Sequence, residues 1–212
     1  MTIDNIVRLR EIEEILHFTT NTGILGILDT RLLKARNRLN VDARLEYIFT
    51  PNARVRNRDA AWLDHVNLSV SKINTSFATY SGNWHRDTNI WWCVLSFSPE
   101  ILIHDGVVFT TTNNIYTSVK RGQGSDGFEA MFAQKIVQYN GKSIERDPNC
   151  PANHTTCEQA EILYPGELST EFLRKIYVPN DDICDQIAGQ LTAVNHRAIE
   201  IEIRESLFKE LY

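Results

Sequence analysis

Apolar residues fall into short runs along this chain, and the spacing within each run predicts its element. Over residues 3–16, Ile3, Ile6, Val7, Leu9, Ile12, Ile15 and Leu16 mix helical spacing with a strand expected at "EEILHFT". "TNTGILGILDTRLLKA" places Ile24, Leu25, Ile27, Leu28, Leu32 and Leu33 on one helix, capped at Thr20 or Thr22. Residues 35–60 are polar and basic, an excursion rather than core. "HVNLSVS" alternates as a strand does, with Val66, Leu68 and Val70 on one face. "IWWCVLSFS" reads as a buried strand, "SPEIL" as one helical turn capped by Ser98 with Pro99 in its first turn, and "GVVFTTT" as a further strand. "KRGQGSDG" reads as a flexible break and "FEAMFAQKIV" as a helix. Residues 139–157 read as a long loop with little apolar content, which delivers the chain to "EILYPG". There Glu161 stands at the mouth of a short apolar strand, Pro165 and Gly166 turn the chain, and Ser169 offers a helix cap before another apolar run. The pattern predicts an α+β fold with several short strands and helices at the edges. One domain is expected over residues 1–212, with a core of roughly 1–180 and an acidic C-terminal extension, 181–212.

Composition narrows the class. With 42% hydrophobic residues in 212, the chain can bury a core of its own. The formal charge of −5 argues against a general polyanion binder, but the charge is uneven. Between residues 31 and 58, Arg31, Lys34, Arg36, Arg38, Arg44, Arg54, Arg56 and Arg58 face only Asp42 and Glu46. That segment is either a solvated charged face or a local phosphate-contacting surface, with Arg54, Arg56 and Arg58 the preferred contacts. No apolar run reaches membrane-spanning length and the N-terminus lacks a signal-peptide core, so a soluble, cytoplasmic protein is expected. Cys93, Cys150, Cys157 and Cys184 fit that compartment as free thiols. Cys150, His154 and Cys157 offer three zinc ligands where a structural site takes four, so no metal is expected.

The chain carries no phosphate-binding glycine loop, nucleophile elbow or HExxH helix. Candidate chemistry lies instead in four scattered stretches: "LHFT" (16–19), "VNLSVSKIN" (66–74), "VVFTTTNN" (107–114) and "QAEIL" (159–163). Taken singly they are weak. A lone histidine such as His17 is most often a satisfied core residue, Lys72 would ordinarily be solvated, and Thr111 to Asn114 would ordinarily form a turn.

In this order, however, the four stretches resemble the DarT family of NAD-dependent DNA ADP-ribosyltransferase toxins, over roughly the first 180 residues. "VNLSVSKIN", "WWCVLSFSPEIL" with "VVFTTTNN" after it, and "GFEAMF" resemble segments of the family's guanine-modifying branch more than of its thymidine-modifying branch. "QAEIL" is the most specific block and puts the family's catalytic glutamate on Glu161. The chain departs from the thymidine-modifying branch at Gly23, where that branch has asparagine, and at Lys72, where it has arginine; Ile73-Asn74 stands where the family has Pro-Asn.

The resemblance implies an ADP-ribosyltransferase fold, a central split β-sheet flanked by helices, and NAD as the ADP-ribose donor with no metal. It makes Glu161 and Lys72 the catalytic residues, Glu161 as the carboxylate and Lys72 as a point charge near the NAD diphosphate, which it also helps to bind. His17, Phe18, Thr19, Asn74 and Phe77 complete the NAD contacts. The loop before Glu161, including His154, would face the acceptor, expected to be single-stranded DNA modified on guanine. It also implies a toxin–antitoxin system, with a cognate antitoxin that removes ADP-ribose. Thymidine, RNA or protein as acceptor, and a catalytically inactive nucleic-acid-binding relative, remain as alternatives.

Overall fold

The structure, a computed structural model, describes residues 1–39, 61–75 and 90–209. The chain opens with helix α1 (Ile3–Leu9), capped by the Thr2 side chain, and enters strand β1 (Ile15–Thr20). Thr20 then caps helix α2 (Asn21–Thr30) by accepting from Gly23 N–H. The expected helix stops there: Arg31 sits in the left-handed region (φ 59°), and Leu32 and Leu33 belong to strand β2 (Leu32–Lys34) instead. A short helix, α3 (Arg36–Leu39), and the alternating strand β3 (His65–Val70) come next.

Strand β4 (Trp92–Phe97) is buried at every position, as a central strand with both faces covered must be. Cys93, Leu95 and Phe97 join Ile15 and Ile24 in the main core; Trp92 and Val94 join Leu16 and Tyr177 in a second cluster. The turn after β4 is the one foreseen, a 3₁₀ turn (Pro99–Ile103) capped by Ser98. Strand β5 (Val108–Thr110) is next.

Beyond β5 the chain departs from expectation twice. "KRGQGSDG" is no flexible break: it forms strand β6 (Arg121–Gly122) and the start of helix α4 (Gly124–Ala130). Gly122 and Gly127 permit a backbone-to-backbone approach here, since a Cβ on Gly127 would lie 2.3 Å from the Gly122 carbonyl carbon. Nor is 139–157 structureless. "KIV" leaves the predicted helix to become strand β7 (Lys135–Val137), which pairs with β8 (Ser143–Glu145) as a hairpin. Its turn is Asn140-Gly141, both at positive φ (55° and 73°). The remainder wraps on Arg146, whose guanidinium donates to the carbonyls of Pro151 and His154 and to Thr156 Oγ1.

Strand β9 (Ile162–Pro165) starts directly after Glu161, β10 (Glu167–Ser169) pairs with β2, and Ser169 caps a single 3₁₀ turn before β11 (Leu173–Val178). Helix α5 (Asp181–Ala193), capped by Asn180, leads to β12 (Glu200–Ile203), which pairs parallel to β11. Among the described residues the sheet has eight strands in the order β12-β11-β4-β1-β3-β9-β5-β6, and residues beyond 180 supply the strand at one end of it. The result is a mixed α+β fold: a large central sheet with helices against it.

The sheet parts in the middle. β1 runs beside β4 along its whole length, from Ile15↔Phe97 to Thr20↔Trp92. It touches β3 only at Ile15↔Val70 and Leu16↔Ser69, after which the two strands separate. β9, carried on the far side of β3, brings Glu161 to this opening.

Candidate active site

The parting of β1 and β3 deprives the Asn67 carbonyl of a ladder donor on that side. His17, the first β1 residue past the split, supplies one: its Nδ1 lies 3.0 Å from Asn67 O. A carbonyl only accepts, so Nδ1 carries the proton and Nε2 is the bare nitrogen of the neutral ring. Loss of surrounding water pushes the His17 pKa below its ordinary 6.5, against a smaller opposing pull from the Asn67 carbonyl.

Asn67 faces two ways. Val66, Leu68 and Val70 point into the core, leaving the Asn67 side chain on the exposed face. There it is the diagonal neighbour of Glu161, because Asn67 pairs with Leu163. Its Nδ2 donates to Glu161 Oε1 at 2.9 Å. The other carboxylate oxygen, Oε2, accepts from the Asn114 backbone N–H at 2.8 Å. The Glu161 peptide is fixed as well: its carbonyl accepts from Thr110 N–H at 2.9 Å, and its N–H donates to Thr110 Oγ1 at 3.0 Å. Thr110 is itself fully buried. Glu161 is thus an oriented carboxylate at the edge of a split, with a neutral imidazole attached to the strand between them.

Lys72 is not a free cation. Its Nζ lies 3.0 Å from Glu158 Oε2, and Glu158 Oε1 accepts from Thr75 through both the backbone N–H (2.8 Å) and the hydroxyl. Burial opposes ionisation of Glu158, but the hydrogen bonds from Thr75 and Lys72 outweigh it and hold the carboxyl below its usual 4.5. Segment 71–75 is thereby tied to the residue three before Glu161. Asn74 is buried beside it. His154 comes to the same place: burial lowers its pKa, and the cations Lys72 and Arg146 lower it further.

Phe18 and Thr19 continue β1 beyond the split. Phe18 packs on Trp92, with ring centroids 5.5 Å apart, so it belongs to the second core cluster. Thr19 fills the space at Gly23: a Cβ there would lie 2.2 Å from Thr19 Oγ1. Phe77, Arg54, Arg56 and Arg58 lie outside the described residues. Cys150, His154 and Cys157 do not converge. The Cys157 thiol is buried between Gln138 Nε2 and Thr112 Oγ1, and no cluster of His, Cys, Asp or Glu suited to a metal occurs among the described residues.

Sequence reasoning missed Asn67, the Asn114 amide, Thr110 and Glu158. Asn67 did leave a signal, since asparagine is unfavourable in a strand interior and needs a reason to be there. The backbone amide of Asn114 left none.

Acidification has a predictable effect. Between its lowered folded pKa and about 6.5, His17 is protonated in the unfolded chain but not in the folded one, so stability falls as pH drops below 6.5 and is flat above it. His65 and His154 are lowered too and act in the same direction. Melting temperatures recorded from about pH 7.5 to 5 should therefore decline below 6.5, and more shallowly in His17→Gln. An identical slope in the variant would show that His17 titrates as it does in the unfolded chain.

A large mixed sheet with helices against it is the fold of solved DarT structures, and the family match makes the class that of an NAD-dependent DNA ADP-ribosyltransferase. More narrowly, residues 16–209 match the family described as "ssDNA thymidine ADP-ribosyltransferase, DarT", and the chain belongs to that family. No curated protein sequence matches it significantly. Among solved structures it is similar to Thermus sp. 2.9 DarT in complex with NAD+ (TM-score 0.62, 18% identity, 93% of this chain and 98% of that one). The same DarT in complex with ADP-ribosylated ssDNA gives TM-score 0.66 at 16% identity, over 93% and 96% of the two chains. Thermosipho africanus DarTG in complex with ADP-ribose gives 0.55 at 11%, over 92% of this chain and 51% of that chain. At such identities the likeness is one of fold. No described helix is long and apolar enough to cross a membrane.

Proposed function

We propose that this chain transfers ADP-ribose from NAD to guanine in single-stranded DNA, releasing nicotinamide, with Glu161 as the catalytic carboxylate. One observation carries the reading: both Glu161 oxygens are held, by Asn67 and by the Asn114 amide, at the place where β1 and β3 part. The bond from ribose C1′ to the nicotinamide nitrogen breaks, and its electron pair neutralises the pyridinium. The sugar passes through an oxocarbenium-like state that a fixed carboxylate stabilises. The attacking base nitrogen bonds to C1′ and gives its proton to Glu161. A base reaches such a site only when unstacked. Tyr139, 53% exposed and 5.5 Å from Tyr116, offers it an aromatic face. Tyr116 in turn lies within electrostatic reach of Glu161.

Guanine rather than thymidine is supported by the likeness of "VNLSVSKIN" and "VVFTTTNN" to the guanine-modifying branch, and by Gly23, whose side-chain space Thr19 occupies. His17, Thr19, Asn74 and Phe77 are assigned to NAD, with Phe18 contributing through the backbone of β1. Arg54, Arg56 and Arg58 are assigned to the DNA phosphates, and His154, in the loop before Glu161, to the nucleic-acid acceptor. The same reading makes the chain the cytoplasmic toxin of a toxin–antitoxin pair whose antitoxin removes ADP-ribose. NAD and ADP-ribosylated ssDNA occupy the related Thermus structures, and ADP-ribose the Thermosipho one.

The test is incubation with labelled NAD and, separately, oligonucleotides whose only modifiable base is guanine or thymine, RNA, and protein. Label on the guanine oligonucleotide with matching nicotinamide release is expected. Label on thymine alone reassigns the base, and absence of release with every acceptor rejects the enzyme.

Lys72→Ala should raise the KM for NAD about tenfold, the worth of one charge-assisted hydrogen bond partly shared with Glu158, while Lys72→Arg keeps most activity. Unchanged kinetics in the alanine variant would show that Lys72 serves only to anchor Glu158.

A further inference from the structure

An arginine beside a cleft that takes a dinucleotide and a DNA strand is ordinarily assigned to phosphate. Arg121 is placed differently. It is held in β6, where it pairs with Thr110 of β5. From there its Nε donates to Asn114 Oδ1 at 2.7 Å, and its Nη2 donates to the Asn114 carbonyl, also at 2.7 Å. The guanidinium lies against the Trp62 ring, 5.2 Å from its centroid. Both hydrogen bonds of the fork go to one residue, and that residue's N–H is the donor to Glu161 Oε2.

We infer that Arg121 is a positioning residue: it clamps the Asn114 side chain and carbonyl, so that the N–H on the other side of the same Cα holds the Glu161 carboxylate, and it does not bind phosphate. The turn 111–114 comes after a strand of three residues and has little regular structure to stiffen it. Without the fork, Asn114 is free to turn about its φ and ψ, and Glu161 Oε2 loses the amide that orients it. A loosely held carboxylate is a poorer partner for the ribosyl cation, because catalysis of this kind depends on groups already in place. Lysine cannot substitute, since an ammonium lacks the planar pair of donors that matches a side-chain oxygen and a carbonyl of the same residue.

The kinetic arm rests on the proposed activity. Arg121→Gln should lower kcat for nicotinamide release by about 10- to 100-fold. The KM for NAD and the salt dependence of DNA affinity should stay as in the wild type. Arg121→Lys should be impaired to the same degree. A raised KM, a flatter salt dependence, or full rescue by lysine would make Arg121 a phosphate ligand and overturn the inference. The second arm needs no activity. In ¹⁵N–¹H spectra, the Asn114 backbone amide should move on Glu161→Ala, which removes its acceptor, and should move toward the same position on Arg121→Gln. An Asn114 amide indifferent to Arg121→Gln rejects the positioning role, whether or not the protein turns over NAD.

Discussion

Glu161→Gln should slow nicotinamide release by about 10²- to 10³-fold, the usual loss when one transition-state interaction is removed. It should leave the melting temperature almost unchanged. The partners of the side chain explain why stability is spared. A glutamine oxygen can still accept from the Asn114 amide, but its NH₂ then faces the Asn67 NH₂, two donors in opposition. Asn67 lies on the exposed face of β3 and can turn its amide over, presenting Oδ1 instead. Both hydrogen bonds are thereby restored and only the negative charge is lost. A purely structural glutamate would show the opposite: near-normal turnover and a lower melting temperature. Measuring both on one variant separates the two, and turnover within a few-fold of wild type would defeat the assignment.

Gly127→Ala should destabilise the fold severely for the addition of a single methyl group, by about 2–3 kcal/mol or a fall of roughly 5–10 °C in melting temperature. The new methyl would sit 2.3 Å from the carbonyl carbon and 2.5 Å from the carbonyl oxygen of Gly122, both backbone atoms that cannot rotate aside. Either β6 leaves β5 or α4 withdraws Phe128 from the core, where that ring packs 4.9 Å from Phe109. Gly189→Ala is the control. It lies on the exposed side of α5 with nothing within 4 Å of the new methyl, and should stabilise by about 0.5–1 kcal/mol. If both alanines behave alike, the close approach of β6 and α4 does not exist in solution.

What the sequence disclosed depended on how local the cause was. The strand at Trp92–Phe97 was legible because an unbroken apolar run has few other fates, and the turn at Ser98-Pro99 because cap and proline act on adjacent residues. The place of Glu161 at the mouth of a short strand was legible from the apolar run that follows it. Leu32 and Leu33 were misread as helix because their partner, β10, lies far along the chain, and only the left-handed Arg31 separates them from α2. Asn140-Gly141 between "KIV" and "SIE" is a hairpin signal that the surrounding polar residues concealed. The glycines of "KRGQGSDG" suggested flexibility, whereas two of them serve contact between backbones. The grip on Glu161 was hidden for a different reason: one of its two donors is a peptide N–H, which every non-proline residue possesses.

The sheet's division also bears on when activity can arise during synthesis. His17 reaches across 50 positions to Asn67, Asn67 across 94 to Glu161, and Glu161 back across 47 to Asn114. Contacts so distant in sequence form late, after the loops between them have closed. A ribosome-bound chain lacks its carboxylate until residue 161 has emerged, and the end strand β12 is not made until Ile203 has joined it. The grip on Glu161 therefore assembles only once the chain through β9 has emerged and folded, and a product truncated before residue 161 lacks both the carboxylate and the strand that carries it.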